Sequence, residues 1–276
     1  MPNKAKKPNK KRKNKIKKIS IARGKQRTPK PKRRQTNGAK PPSAINKTIK
    51  KIKIAKLKDS IMFNVPHYPQ TEDFTSSAAC AMMVLKHNDD SYKMKKNNEF
   101  EIWQEAVQGS VWYGSKYGLA YALAKRGLEV TIISNVKDEG YERRLAVYEN
   151  VNLDSLSASF NEVREKSRNL NVHEELGNIS LQTVKKTLSS NHLPIILIDA
   201  KAINPYIESR PHWVIVKGYD KDNFYINDPY SDSTITVDPD IFRQALGFDS
   251  NYHMIIASAS KRGGNRQNGQ HVQKEE

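Results

Sequence analysis

The sequence has one cysteine in 276 residues, Cys80, and that scarcity closes off several classes of function at once. No intrachain disulfide can form, and seven scattered histidines with a single thiol cannot build a Cys-rich zinc site. Neither a metal nor a cofactor is expected, and a reducing, cytoplasmic setting fits. Long apolar runs are missing too. The charged N-terminus is not succeeded by the apolar segment of a signal peptide, and no uncharged apolar stretch is long enough to span a bilayer. Acidic residues are absent from residues 1–58, which hold 24 Lys and Arg, whereas the other 218 residues carry 24 basic against 29 acidic groups. The formal charge of +19 therefore belongs to an arm, and the remainder of the chain is a mildly acidic globule.

From Met1 to about Ser43 the arm has almost no large apolar residues, too few to offset the entropy of ordering its backbone, so disorder is expected there. The stretch INKTIKKIKIAKLK, residues 45–58, fits helical and strand spacing about equally. Such a cationic chain attracts polyanions by releasing their condensed counterions, through clusters such as Lys11, Arg12 and Lys13 or Arg33 and Arg34. RNA, DNA and ribosomal surfaces all qualify. With no aromatic residue to stack on bases, binding should be tolerant of sequence and sensitive to salt. Anionic membrane ranks below them, because only a few Ile and one Leu could insert.

Residues 59–259 read as one domain, with a polar, flexible tail over 260–276. SSAACAMMVLKH is apolar on every side from Ala78 to Leu85, which marks a fully buried helix. NNEFEIWQEAVQ and GLAYALAKRG predict two further helices, the second stopped by Gly127. LEVTII is a strand, and amphipathic helices come next at Asp154 to Ser167 and Ser180 to Ser190, with Ser180 as N-cap. KDEGYERRLAVYEN reads as a solvated connector. The chain then turns to strands at LPIILIDA, HWVIVKGYD, NFYINDP, STITV and YHMIIAS, with a short helix capped by Asp238 among them. Helices first and adjacent strands afterwards predict an α+β fold on a mainly antiparallel sheet.

Three segments could carry chemistry. Gln70 stands six residues before Ser76 at the start of the buried helix, where a side-chain amide and free backbone N–H groups could together stabilise an oxyanion. His212 opens the strand HWVIVKGYD, and Asp228 ends the next one across a GYDKDN turn. Pairing of those strands would set imidazole and carboxylate side by side, the arrangement that fixes an imidazole's tautomer.

Gln70, TEDFT, SSAACAMM, PHWVIVKGYD and NDP, in that order, resemble the papain-like cysteine peptidase domains of the bacteriocin leader-processing peptidase-like family. The resemblance covers roughly Phe63 to Ser258. It implies a papain-like fold and a site in which Gln70 matches the oxyanion residue, Ser76 the nucleophile, His212 the base and Asp228 its orienting partner. Ser76 and Ser77 replace the Cys-Gly pair of that family.

The replacement matters because a thiol, with an ordinary pKa of about 8.5, can be drawn to thiolate by an imidazolium and a helix N-terminus. A hydroxyl cannot, and must lose its proton during attack. Cys80, the alternative nucleophile, lies one helical turn beyond Ser76, about 5 to 6 Å away between Cβ atoms, while proton transfer needs about 3 Å. As a small thiol in an apolar helix it reads more simply as core. Trp112, Tyr113 and Tyr117, set between glycines in GSVWYGSKYGL, and Trp213 could line a peptide groove, although core packing accounts for such aromatics as well. Two functions stay open: a catalytically impaired peptide-binding pseudoenzyme tethered to polyanions by its arm, or an active thiol- or serine-type peptidase or transpeptidase.

Overall fold

The structure, a computed structural model, describes residues 57–107, 111–138, 140, 142–148 and 150–259, without the side chains of residues 142, 145 and 148. All but the last two residues of the expected arm, and the whole of the expected tail, lie outside the described residues.

The chain runs β1 (Ile61–Met62), α1 (Ser76–Asn88), α2 (Lys96–Ala106), α3 (Lys116–Lys125), β2 (Leu128–Ser134), α4 (Glu142–Tyr148), α5 (Leu153–Asn169), β3 (His173–Leu176) and α6 (Leu181–Ser189). It continues through β4 (Leu193–Asp199), α7 (Ala200–Ile203), β5 (Pro211–Tyr219), β6 (Phe224–Asn227), β7 (Thr234–Val237), α8 (Pro239–Ala245) and β8 (His253–Ala259). The strands form one sheet in the order β3-β2-β8-β4-β5-β6-β7, with β1 paired to β5. Every pairing is antiparallel except that of β2 with β3. The fold is thus α+β on a mainly antiparallel sheet, as the order of helices and strands predicts.

Strand alternation divides the core in two. Ile195, Leu197, Trp213, Ile215 and Ile255 pack with α1, α2, α3 and α5 on one face. Ile196, Ile198, Val214, Val216 and Met254 pack with α6 and α8 on the other. β4 and β5 are therefore apolar almost without interruption, the mark of strands covered on both sides. α1 is buried from Ser76 through Leu85, ten residues in a row, as its lack of a polar face demands. Neighbouring backbone comes so close to the helical layer that a Cβ on Gly118 would lie 2.3 Å from the carbonyl oxygen of Ala106.

Helix ends obey their local chemistry. Ser180 and Thr183 form a reciprocal capping box on α6, and Asp238 accepts from Asp240 and Ile241 at the start of α8. Gly127 takes the left-handed φ of 87° just after α3. Four elements were not expected from the sequence: the short β1 and α7, and two that say more about its limits, α4 and β3. The segment expected as a connector contains α4, which turns Ala146 into the core and leaves Val147 exposed; two turns with so little inward surface show no period. β3 is also a strand, although HEEL is polar, because it is a sheet edge whose Glu174 binds Arg164 and Arg168 at 2.6 and 2.8 Å.

Candidate active site

The start of α1 meets the sheet at the start of β5. The amide of Trp213 donates to the Ser76 hydroxyl at 3.4 Å, and the Cys80 thiol donates to the Trp213 carbonyl at 3.3 Å. The Trp213 indole N–H reaches the carbonyl of Gly114 at 2.8 Å. Position 213 is thus clamped between α1 and the loop before α3, and its ring, 2% exposed, is core.

On the next strand the register pairs Ile215 with Asn227, so Asp228 falls diagonally beside His212 on the same face of the sheet. Their side chains join, His212 Nε2 to Asp228 Oδ1, at 2.6 Å. Asp228 also accepts from the amide of Tyr230 at 2.9 Å. Burial alone would raise the Asp228 pKa, but the His212 hydrogen bond and charge, the Tyr230 N–H and the charge of His67 together bring it below the ordinary carboxylate value. His212 and Asp228 are each nearly closed to solvent, at 4% and 6% exposure. The cavity they line with Ala200, Asn204 and Tyr230 measures about 10 Å³, room for roughly one water.

A loop carries Gln70 to the same corner. Its amide N–H donates to the Pro229 carbonyl at 2.8 Å, His67 Nε2 lies 3.0 Å from the Asp228 carbonyl, and Asn227 donates to the carbonyl of Val65 at 3.2 Å. The Gln70 side-chain amide is turned back on its own loop, donating to the Glu72 carbonyl at 2.9 Å, while its Oε1 is buried without a partner.

Glu99 on α2, a residue the sequence reading passed over, fixes this loop. Fully buried, its carboxylate accepts from the hydroxyl of Tyr68 at 3.1 Å, from the amide and hydroxyl of Thr71 at 2.9 and 2.8 Å, and from the hydroxyl of Thr75 at 2.5 Å. Burial, with the Glu99 charge and hydrogen bond next, pushes the Tyr68 phenol up to about 12. Thr75 is the N-cap of α1 but its hydroxyl is committed to Glu99 and Glu72, so it caps nothing. Without a side-chain cap the first N–H groups of the helix keep no acceptor from that quarter, the condition an oxyanion hole requires. The signal for Glu99 was present: Glu99, Ile102 and Ala106 form the buried face of α2 at helical spacing, and an acid on such a face needs partners.

The structure brings His212 and Asp228 together and sets Ser76 against the same strand. It does not join them: among the described residues Ser76 and His212 share no hydrogen bond. Alternation accounts for this, since Trp213 and Ile215 face α1 while His212 shares parity with Val214 on the other side. Cys80 is fully buried, and burial, then the Asp228 charge, raise its thiol well above its ordinary pKa, so it holds no thiolate. The Ser77 hydroxyl is buried without a partner, and a Cβ on Gly114 would come within 2.1 Å of it.

The expected groove aromatics divide. Tyr113 lines a cavity of about 600 Å³ with Arg210, Pro211 and Tyr230. Trp112 instead packs edge-on against Phe74 at 4.6 Å, half exposed. Tyr117, 2% exposed, belongs to a different cavity, between α3, α5 and β3. The expected polyanion contacts Lys11, Arg12, Lys13, Arg33 and Arg34 lie outside the described residues. No group of His, Cys, Asp and Glu suited to a metal occurs among the described residues, and no described helix is long and apolar enough to cross a membrane.

The domain thus sets the start of a buried helix and a His–Asp pair on one mainly antiparallel sheet. The Peptidase_C39 like family matches residues 65–246, about two thirds of the sequence, and the chain belongs to it. No curated protein matches the chain. Among solved structures, a candidate C39-like peptidase from Bacillus anthracis is 15% identical with a TM-score of 0.43, the likeness covering 74% of this chain and 100% of that one. Xylellain, a cysteine protease from Xylella fastidiosa, is 11% identical with a TM-score of 0.46, covering 75% of this chain and 88% of that one.

Two outcomes test this geometry. Glu99→Gln leaves donors facing a weaker acceptor and should cost about 1–3 kcal/mol in urea denaturation. Because the folded pKa of Asp228 is lowered, its contribution to stability is complete above the unfolded value of about 3.9 and is lost as pH falls through the folded value. Asp228→Asn should therefore lower stability at neutral pH and flatten the acid limb of the stability profile; an unchanged limb would assign it to other carboxylates.

Proposed function

We propose that this chain is a peptide-binding member of the Peptidase_C39 like family whose hydrolytic step is impaired, with the basic arm attaching it to polyanions. The observation that carries the reading is the open link between Ser76 and His212. Asp228 holds the imidazole, but the hydroxyl that would need a base accepts from the backbone of Trp213 instead. A hydroxyl gains nothing from proximity alone, since its proton must pass to the base as it attacks. The space beside the pair, about 10 Å³, is too small for a peptide bond, and the Gln70 amide is engaged by Glu72. Cys80 is closed to solvent and held as a thiol.

In this reading His212 and Asp228 are retained as the support behind a recognition site, and the peptide lies in the adjoining cavity of about 600 Å³ that shares Ile207, Arg210 and Tyr230 with the space beside the pair. The competing reading, a serine-type peptidase, is favoured by one observation: a buried carboxylate hydrogen-bonded to an imidazole is costly to keep for shape alone. The arm's part rests on its charge, 24 Lys and Arg with no acid over residues 1–58, which suits RNA, DNA or a ribosomal surface.

Fluorophosphonate should leave Ser76 unlabelled in the wild-type chain, and Ser76→Cys, alone or with Ser77→Gly, should stay without measurable peptide hydrolysis, because the change of nucleophile does not bring the His212 imidazole to position 76. Labelling of wild-type Ser76, together with hydrolysis that His212→Ala abolishes, would establish the serine peptidase instead. Removing residues 1–58 should abolish salt-dependent retention on RNA, read as the slope of log affinity against log salt. An unchanged slope would remove the arm from the account.

A further inference from the structure

The cavity of about 600 Å³ that adjoins the His–Asp pair has a chemistry of its own. It shares Ile207, Arg210 and Tyr230 with the small space beside His212 and Asp228, so whatever fills it lies next to the pair. Three cations line it, Arg144, Lys201 and Arg210, against the single carboxylate of Glu208. Arg210 stands 5.4 Å over the ring of Tyr230 and Arg144 stands 4.5 Å over that of Phe248, cation–π contacts that hold each guanidinium at an aromatic wall. Arg144 approaches Asp249 and Ser209, both at a long 3.5 Å. Among the described residues neither Arg210 nor Lys201 has an ion-pair partner. Asp199, two residues before Lys201, accepts from the Ser209 hydroxyl at 2.6 Å and the Lys201 amide at 3.1 Å, and Asp228 accepts from His212.

Resting on the peptide-binding reading, we infer that this cavity selects an acidic side chain, Asp or Glu, of the bound peptide, with Arg210 and Lys201 as the residues that determine the preference. A carboxylate there meets the planar guanidinium of Arg210, held at the ring of Tyr230, and the ammonium of Lys201. Aromatic walls contributed by Tyr113 and Tyr230 accept the methylenes that carry the carboxylate.

The test uses the full chain, so that attraction by residues 1–58 is the same in every measurement. Random dodecapeptides displayed on phage are selected on the immobilised wild-type chain, and the best peptide and its Glu→Gln or Asp→Asn counterpart are titrated by fluorescence anisotropy. Wild type should enrich an acidic residue at one fixed position, and its neutralisation should weaken binding about 10-fold. In Lys201→Gln and Arg210→Gln, confirmed as folded by their melting curves, the same neutralisation should cost less than about 2-fold. Enrichment without a fixed acidic position, or a penalty equal in wild type and variants, overturns the acidic preference and leaves peptide binding standing. If the folded wild-type chain selects no peptide, the peptide-binding reading falls and the preference with it.

Discussion

The loop that approaches the candidate site depends on a carboxylate that touches neither Ser76, His212 nor Asp228. Glu99, at 0% exposure on α2, gathers the hydroxyls of Tyr68, Thr71 and Thr75 and the amide of Thr71 around one charge. A buried anion is costly unless its lone pairs are filled, and filling these takes donors from one loop and from the residue preceding α1. That requirement fixes the loop, the loop carries Gln70 to the end of β6, and Thr75 is withdrawn from capping the helix. The uncapped start of α1 thus goes with the satisfaction of Glu99.

Much of this architecture is legible in the sequence because burial leaves a pattern. α1 shows no polar face, β4 and β5 are apolar runs, and Ser180 and Asp238 announce the helices they cap. The pairing of His212 with Asp228 could be foreseen from two adjacent strands and a short turn. The elements that escaped had no pattern to read: α4 is too short to show a period, and β3 is an edge whose polar residues are offset by ion pairs with α5. Glu99 escaped for a different reason. Its spacing with Ile102 and Ala106 placed it on the apolar face of α2, but the sequence does not say which donors would meet it there.

The site itself was legible as a set of residues and less so as a geometry. Sequence order can say that a hydroxyl, an imidazole and a carboxylate meet near one strand. It cannot say which face of that strand each one approaches, because a single step along a strand reverses the side chain's direction. Ser76 reaches Trp213, one residue past His212, and that one step separates contact with backbone from contact with the imidazole. The cations of the neighbouring cavity come from α4, α7 and the residue just before β5, too far apart in the chain for any local motif to join them.

Gly114 and Ser77 press on one another at the mouth of α1, with no room for a side chain at position 114 while position 77 has one. The two sites are therefore coupled in the order in which they can change. A lineage or a designer wishing to enlarge residue 114 must first reduce residue 77, and until then the loop before α3 is locked by a hydroxyl that makes no hydrogen bond.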